Sequence, residues 1–450
     1  MLCSRYTRLV MAQNATYQAP KGTVDLTGDS ARAWERLCDV AARVFKRYGY
    51  APIYTPIFEA TEVFARGIGA ATDVVNKEMY TFEDKGGRSL TLRPENTAGV
   101  VRAAIQNNLI GEAGLAKLYY AGPMFRYERP QKGRQRQFYQ IGAEALGPAS
   151  PEADAEMILM LWKYFQELGI PEHEMRLLVN SMGCPQCRPA YRQHLAVYLR
   201  DHAGELCPEC QARADTNPLR AFDCKNPQCR EVMEDAPKLE DALCDGCAEH
   251  QAFLQGFLAG AGLDYVPDPT LVRGLDYYTR TVFEIQVVQG LGAQNALGGG
   301  GRYDGLFEQL GGKPTPGIGF AIGFERVMLA LEAAGVTLPT KPGMPIYVAT
   351  TENDPFMRRE AFKLCQELRA EKLNAFGNLQ LKSLKAQFRA ADRAGALAVL
   401  ILGPDELADD KIRMRNMQTR EEDLIAHSAL IAHLQKMGVA HLSKEANTSA

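Results

Sequence analysis

The chain has 450 residues, 46% of them hydrophobic and 23% charged, an ordinary globular balance that suggests about three domains. Its formal net charge of -3 gives no global attraction to nucleic acid, so any RNA binding must rest on local basic patches. No apolar run approaches the ~20 residues a membrane helix needs, and the opening stretch MLCSRYTRLVMAQNATYQ has Arg5 and Arg8 but no secretory apolar core, so a cytoplasmic protein with no membrane partner is expected.

Residues 1–18 read as an N-terminal extension without fixed structure, with Met11 as an alternative start. Residues 30–48 carry Trp34, Leu37, Cys38, Ala41, Val44 and Phe45 at helical spacing, stopped by Gly49. Pro52 and Pro56 keep 50–58 extended. Residues 79–92 look like a hairpin turning at Lys85, Gly86 and Gly87, 94–107 are helix-like, and 118–120 and 137–146 read as strands before a helix over 151–168. The composition then shifts: eight of the eleven cysteines crowd into 184–247 among Pro, Asp, Glu and Asn. Strand signals run over 271–288, a Gly-rich turn GGGGRYDG covers 298–305, and 317–335 reads as strand then helix. A linker, LPTKPGMP at 338–345, leads to strand 346–349, helix 355–371, helix 383–394 and strand 397–402, the pattern of a small α/β domain with a parallel sheet. The last eight residues read as frayed.

Within FRYERPQKGRQRQFYQIGAE, Arg126, Arg129, Lys132, Arg134 and Arg136 stand against the single acid Glu128, on a loop marked by Pro130 and Gly133. Such a loop is either a solvated Arg-rich hairpin tip or a set of forked donors for phosphates. On the strand after it, Phe138, Gln140, Gly142 and Glu144 share one face, an unusual core but a reasonable ligand floor. In LTLRPENTAG, Glu95 behind Pro94 is placed either to cap a helix or to hold an ammonium group. In LVRGLDYYTRTVFE, Arg273 and Gly274 precede the pair Tyr277 and Tyr278; in PGIGFAIGFERVMLAL, Arg326 falls in the first turn of a helix, where free N–H groups already favour anions. The cysteines pair as Cys184/Cys187, Cys207/Cys210, Cys224/Cys229 and Cys244/Cys247. Three of these pairs have knuckle spacing, and the eight thiolates together would serve two structural four-Cys zinc sites; free thiols and redox chemistry stay open.

Together these motifs resemble one family. FRxE on a strand–loop–strand, GxGxGxER opening a helix, and the Pro56 region are similar to motifs two, three and one of the class II aminoacyl-tRNA synthetases. APKGTVDL, LVRGLDYYTRTVFE and GGGGRYDGL resemble signatures of the histidyl-tRNA synthetase family, a likeness running over some nine tenths of the chain. The resemblance implies an α+β fold: a class II catalytic domain, an antiparallel sheet flanked by helices, over 19–180 and 265–337. A Cys-rich insertion domain would span 181–264 and an α/β anticodon-binding domain 345–442.

The resemblance also implies activation of L-histidine by ATP with Mg²⁺, transfer to tRNA(His), and a homodimer. Arg126 would hold the α-phosphate, Arg326 the far end of ATP, Phe138 the adenine ring, Glu128 its amino group and Arg134 the γ-phosphate. Glu95, Thr97 and Gln140 would receive the histidine ammonium, Glu144 and Tyr278 would read the imidazole beside Tyr277, and Arg273, with Arg126, would be the catalytic cation. Asn96 departs from the family's more frequent glycine; it would be a contact through its backbone only, with a side chain that either crowds the pocket or projects outward. Lys411, Arg413 and Arg415 alternate on one strand face as the RNA-contact candidate. The regulatory subunit of ATP phosphoribosyltransferase shares this core but lacks the C-terminal domain and erodes the arginine and tyrosine signatures. A histidine- or RNA-sensing module is a further alternative.

Overall fold

A computed structural model describes residues 17–69, 72, 74–288, 295–338 and 345–437, with Asn76 described by its backbone alone. The first sixteen residues of the expected extension, most of the 338–345 linker and the last eight residues lie outside the described residues. The chain divides at residues 339–340 into two units.

In the first unit, helix α1 (Asp29–Arg47) buries Leu37, Val40, Ala41, Val44 and Phe45, the one-sided spacing that marks a helix packed on a core. Short strand β1 (Ala51–Pro52) follows. Strands β2 (Phe58–Ala60), β3 (Tyr80–Glu83) and β4 (Ser89–Leu92) form a small antiparallel sheet in the order β2-β4-β3. The hairpin turns where expected, because the Asp84 carboxylate accepts the N–H groups of Gly86 at 2.8 Å and Arg88 at 2.9 Å and Gly87 takes a positive φ of 73°. Helix α2 (Thr61–Ile68) lies between β2 and β3, and α3 (Thr97–Asn107) follows β4.

The main sheet is built from β5 (Ala116–Phe125), β6 (Gln137–Leu146), β7 (Met175–Ser181), β8 (Val266–Pro267), β9 (Thr279–Val287), β10 (Ala296–Arg302) and β11 (Gly317–Gly323), with β1 at one edge. Its order is β1-β5-β6-β11-β10-β9-β7-β8; all pairings are antiparallel except the two-residue parallel edges. One face packs on α1, on α4 (Pro151–Glu167), on the end of a later helix through Leu254 and Leu258, and on Val327 and Leu331. The other face carries the candidate site. Between β7 and β8 the Cys-rich insertion supplies α5 (Arg188–Asp201), α6 (Pro208–Thr216), α7 (Pro227–Glu234) and α8 (Asp245–Gly260). After β10 come α9 (Leu306–Gln309) and, past β11, α10 (Phe324–Ala333).

Three sequence expectations need correction. GGGGRYDG is not a turn at its start: Gly298 to Arg302 lie in β10, bonded to both β9 and β11. Regular strand does not begin at Leu271; residues 271–278 are irregular and pairing starts at Thr279. The second unit's sheet is mixed rather than parallel. Strands β12 (Ile346–Thr350), β13 (Ala375–Gly377), β14 (Ala398–Leu402), β15 (Lys411–Asn416) and β16 (Glu422–Ala426) run in the order β13-β12-β14-β15-β16, with only the first three parallel. The crossovers α11 (Pro355–Ala370) and α12 (Leu384–Arg393) enforce the parallel part, whereas the short connections to β15 and β16 permit antiparallel return.

Fully buried Arg302 locks the first unit together. It donates to Asp154 of α4 at 2.5 Å, and Asp154 also accepts Thr281 Oγ1 of β9 at 2.6 Å and sits 2.7 Å from His250 Nε2 of α8. Removing one partner of such a buried pair costs about 3–5 kcal/mol, because the other charge is stranded.

Candidate active site

The alternation of β6 puts Phe138, Gln140, Gly142 and Glu144 on the site face, while Ile141, Ala143 and Ala145 point into the core. On β11 their register partners are small, Gly319, Ala321 and Gly323, and on β5 Gln140 faces Gly122, while Leu118, Tyr120 and Met124 stand opposite Glu144, Gly142 and Phe138. Glycine is required at two of the close approaches. A Cβ on Gly319 would lie 1.7 Å from the Glu144 carboxylate, and one on Gly301 would lie 2.9 Å from the Tyr278 ring. The β6–β11 part of the floor is therefore mostly backbone, with polar side chains standing around it.

At one end stands Glu144, with no exposed surface. Its carboxylate accepts Thr97 Oγ1 of α3 at 2.8 Å, Tyr303 Oη at 2.5 Å and, more weakly, Tyr120 Oη of β5 at 3.4 Å. Burial first, and the nearby Glu95 charge, push its carboxyl up to about 8, against the pull of those hydrogen bonds. Tyr277 and Tyr278 are buried beside it with ring centroids 4.7 Å apart, and Tyr303 packs on Tyr277 at 5.7 Å. Gln140 Oε1 is a buried acceptor with no protein partner among the described residues, so it awaits a donor.

Glu95 resolves its two alternatives partly in favour of the cap. Its oxygens accept the N–H groups of Thr97 at 2.6 Å and Ala98 at 3.0 Å, completing the start of α3; burial raises its carboxyl pKa. Asn96 does not crowd the pocket with its carbonyl: Oδ1 accepts Thr55 Oγ1 at 2.6 Å, while the buried Nδ2 has no partner among the described residues.

The other end is cationic. Arg126 donates Nε to the Pro94 carbonyl at 2.9 Å and lies 5.2 Å from the Phe138 ring. Glu128 holds Arg134 at 3.2 Å, on the loop between β5 and β6. Arg273 donates to Glu284 of β9 at 2.5 Å. Arg326 sits in the first turn of α10; burial, and then repulsion from Arg134 and, further down, Arg273, push its guanidinium below the ordinary arginine range despite Glu284 and Glu128. Crowded guanidiniums with too few acids make a polyanion site.

Sequence reasoning missed the roles of Glu284, Tyr303 and Arg302. All three stand inside quoted motifs: Arg302 reaches Asp154, Tyr303 reaches Glu144, and Glu284 accepts Arg273 Nη1 at 2.5 Å. The signal was the run RYD in β10 and the turn after it, which strand alternation would have split between the two faces.

The eight insertion cysteines form two groups, Cys184, Cys187, Cys244 and Cys247, and Cys207, Cys210, Cys224 and Cys229, each with its sulfurs within 4.8 Å of one another. In the second unit, Lys411, Arg413 and Arg415 do share a face of β15, but each is held by an acid: Asp409 at 3.1 Å, Glu406 at 2.9 Å and Glu422 at 3.1 Å.

Comparison with known proteins bears on the same regions. Residues 22–327 match the family model described as Histidyl-tRNA synthetase, and 346–437 match that described as Anticodon binding domain. A Histidine--tRNA ligase of Halothermothrix orenii is 47% identical over 93% of this chain and 99% of its own length; that of Moorella thermoacetica is 47% identical over 93% and 98%. The crystal structure of apo S. aureus histidyl-tRNA synthetase aligns with a TM-score of 0.78 at 36% identity, covering 93% of this chain and 99% of that one.

Glu144 carries a pH prediction. Its folded pKa of about 8 lies above the ~4.3 of a free glutamate, so the native chain keeps a proton that the unfolded chain releases. The stability this gives is complete below the unfolded value and is lost as pH rises through about 8. Thermal melts from acid to alkaline pH should show Glu144→Gln gaining on the unchanged chain as pH rises; a constant difference would contradict the burial argument.

Proposed function

The chain belongs to the histidyl-tRNA synthetase family, and from that membership we propose a division of labour among its residues. The enzyme is a class II aminoacyl-tRNA synthetase that joins L-histidine to tRNA(His). A carboxylate oxygen of histidine attacks the α-phosphate of ATP, the bond to diphosphate breaks, and histidyl-adenylate forms. The 3′-terminal adenosine of the tRNA then takes the acyl group and AMP leaves. No side chain need act as a nucleophile; rate comes from alignment and from neutralising charge on the phosphate.

Histidine would lie on the glycine floor with its ammonium toward Gln140, Glu95 and Thr97 and its imidazole toward Glu144 and Tyr278, walled by Tyr277. The observation that carries this is the buried, unpaired Gln140 Oε1 on the same face of β6 as the buried carboxylate Glu144. Such a pocket rejects other side chains, which would leave its buried polar groups unpaired. Arg126 and Arg273 would flank the histidine carboxylate and the α-phosphate. Glu284 pre-aims Arg273, and its carboxylate leaves the guanidinium further donors to spend on substrate. Phe138, Glu128 and Arg326 would receive adenosine, with Arg134 at the γ-phosphate; Mg²⁺ accompanies ATP as counter-ion to its polyphosphate. Asn96 contributes only through its backbone.

We assign catalysis to 19–180 and 265–337, the insertion to 181–264 and anticodon reading to 345–442, where Lys411, Arg413 and Arg415 would exchange their acids for RNA phosphates. A homodimer is supported by the exposed apolar side chains Tyr54, Ile57, Phe58 and Phe82 around the β2-β4-β3 sheet, beside the Pro56 segment. A reaction fed by free ATP, histidine and tRNA supports a cytoplasmic location, and no helix among the described residues is long and apolar enough to cross a membrane.

Each cysteine group has the all-thiolate donor set of a structural zinc site, and backbone N–H groups of Cys184 at 3.2 Å and Gln186 at 3.4 Å already point at sulfur as in a knuckle. Bound zinc would supply a cross-link, worth roughly 10–16 kcal/mol in small peptides, to an insertion of short helices.

Tyr278→Phe should raise the histidine KM about ten- to a hundredfold, the loss of roughly 1.5–3 kcal/mol expected when a buried polar contact goes, with the ATP KM nearly unchanged. Arg326→Ala should do the reverse, and an unaltered histidine KM in the first variant would refute the assignment. Metal analysis of chain purified without chelator should find about two zinc equivalents, one for each four-thiolate set; less than about half an equivalent would refute the metal sites.

A further inference from the structure

Residues 271–278, which carry Arg273, Tyr277 and Tyr278, form no regular backbone ladder. Their shape must be imposed by what they pack on: Ile68 O accepts Asp276 N at 3.2 Å, Asn180 Nδ2 donates to the Leu271 carbonyl at 3.0 Å, and two further supports come from the cysteine clusters. On one side, the segment that begins the Cys184/Cys187/Cys244/Cys247 group is tied to 278–280. Arg188, next to Cys187, donates Nε to the Met182 carbonyl at 3.1 Å and Nη2 to the Tyr278 carbonyl. Met182 N donates to Arg280 O at 2.6 Å, and Arg280 N donates to Gly183 O at 2.8 Å. Arg280 itself sits at a φ of 48°, a left-handed conformation an arginine adopts only when its surroundings enforce it. Gly183, at φ 63°, lets the chain pass so close to Cys187 that a Cβ there would lie 2.9 Å from its sulfur.

On the other side, the stretch between Cys210 and Cys224 meets the same loop one turn earlier. Asn217 Nδ2 donates to Asp276 Oδ1 at 2.8 Å, and the Arg220 guanidinium lies 3.7 Å from where a Gly274 Cβ would be. Cys210, Cys224 and Cys229 share one apolar cluster with Leu271, Val272, Tyr277 and Tyr278.

We propose that the two thiolate clusters, acting through Arg188 and through Asn217 and Arg220, hold the 271–280 loop in its histidine-reading shape, so that metal occupancy sets histidine affinity. This rests on the metal reading above. Arg188 is a positioning residue: its planar fork joins the first cluster's knuckle to the backbone of the tyrosine that reads the imidazole. Stripping the metal frees both supports and loosens Tyr278, while Arg273, held by Glu284 of β9, and the adenosine end, built from β6, β11 and α10, keep their own supports.

The test measures histidine and ATP binding by calorimetry, without turnover, on the full chain as isolated, after metal removal with a thiol-directed mercurial and chelator, and after refilling with zinc. Removal should weaken histidine binding about tenfold or more with ATP affinity within about twofold, and zinc should restore it. Arg188→Gln should weaken histidine binding in the same way with zinc content unchanged, and Arg188→Lys should recover part of the loss. Retained histidine affinity in zinc-free chain would overturn the inference and leave the metal sites standing. Equal loss of histidine and ATP binding would also overturn it, as general unfolding. Should the isolated chain hold no zinc, the metal reading fails separately. Arg188→Gln then decides the loop support alone: lost histidine affinity with ATP affinity kept upholds it, and unchanged histidine affinity overturns it.

Discussion

One buried carboxylate organises the substrate end of this molecule. Glu144 has no contact with solvent and stays in place because donors on three separate elements converge on it: Thr97 from α3, Tyr120 from β5 and Tyr303 from the turn after β10. It fits only because Gly319, its register partner on β11, has no side chain. A group so costly to bury persists when the fold over-determines it, and Glu144 is over-determined by the helix, the sheet and the loop together. The bare glycine floor, the tyrosine wall and the unpaired Gln140 oxygen all take their positions relative to it.

The same sheet face separates two kinds of recognition. Near Glu144 the chemistry is that of neutral and acidic hydrogen-bonding groups in a dry pocket, where discrimination comes from leaving wrong ligands unsatisfied. Near Arg126, Arg134 and Arg326 it is that of excess positive charge, relieved only by a polyanion. Arg273 stands between, aimed by Glu284 from a neighbouring strand. Arg273, on the proposed reaction boundary, lies on the loop that leans on the cysteine-rich insertion.

Much of this was legible in the sequence because the chemistry is local. Arg126 and Glu128 lie two positions apart in the motif that runs on to Phe138, and strand alternation alone puts Phe138, Gln140 and Glu144 on one face. Glu95 was ambiguous for a physical reason: a carboxylate at a helix start serves as cap and as ligand with the same oxygens, and here it caps α3. What stayed hidden was long-range. Nothing local says that Arg302 will find Asp154 across 148 positions, or that Tyr303 will find Glu144 across 159. Four consecutive glycines read as a turn by propensity, yet tertiary pairing on both sides makes them a strand. The C-terminal sheet looked parallel because its first crossovers are helical; its antiparallel half depends on short connections whose partner choice no periodicity reveals.

The most direct measurement is histidine-dependent exchange of labelled diphosphate into ATP by the purified chain, with each of the common amino acids offered in turn. Saturable exchange with histidine and none above background with the others is the expected result, because an imidazole is the side chain proposed to satisfy Glu144 and Tyr278 together. Absence of exchange at saturating histidine, or comparable exchange with another amino acid, would contradict it.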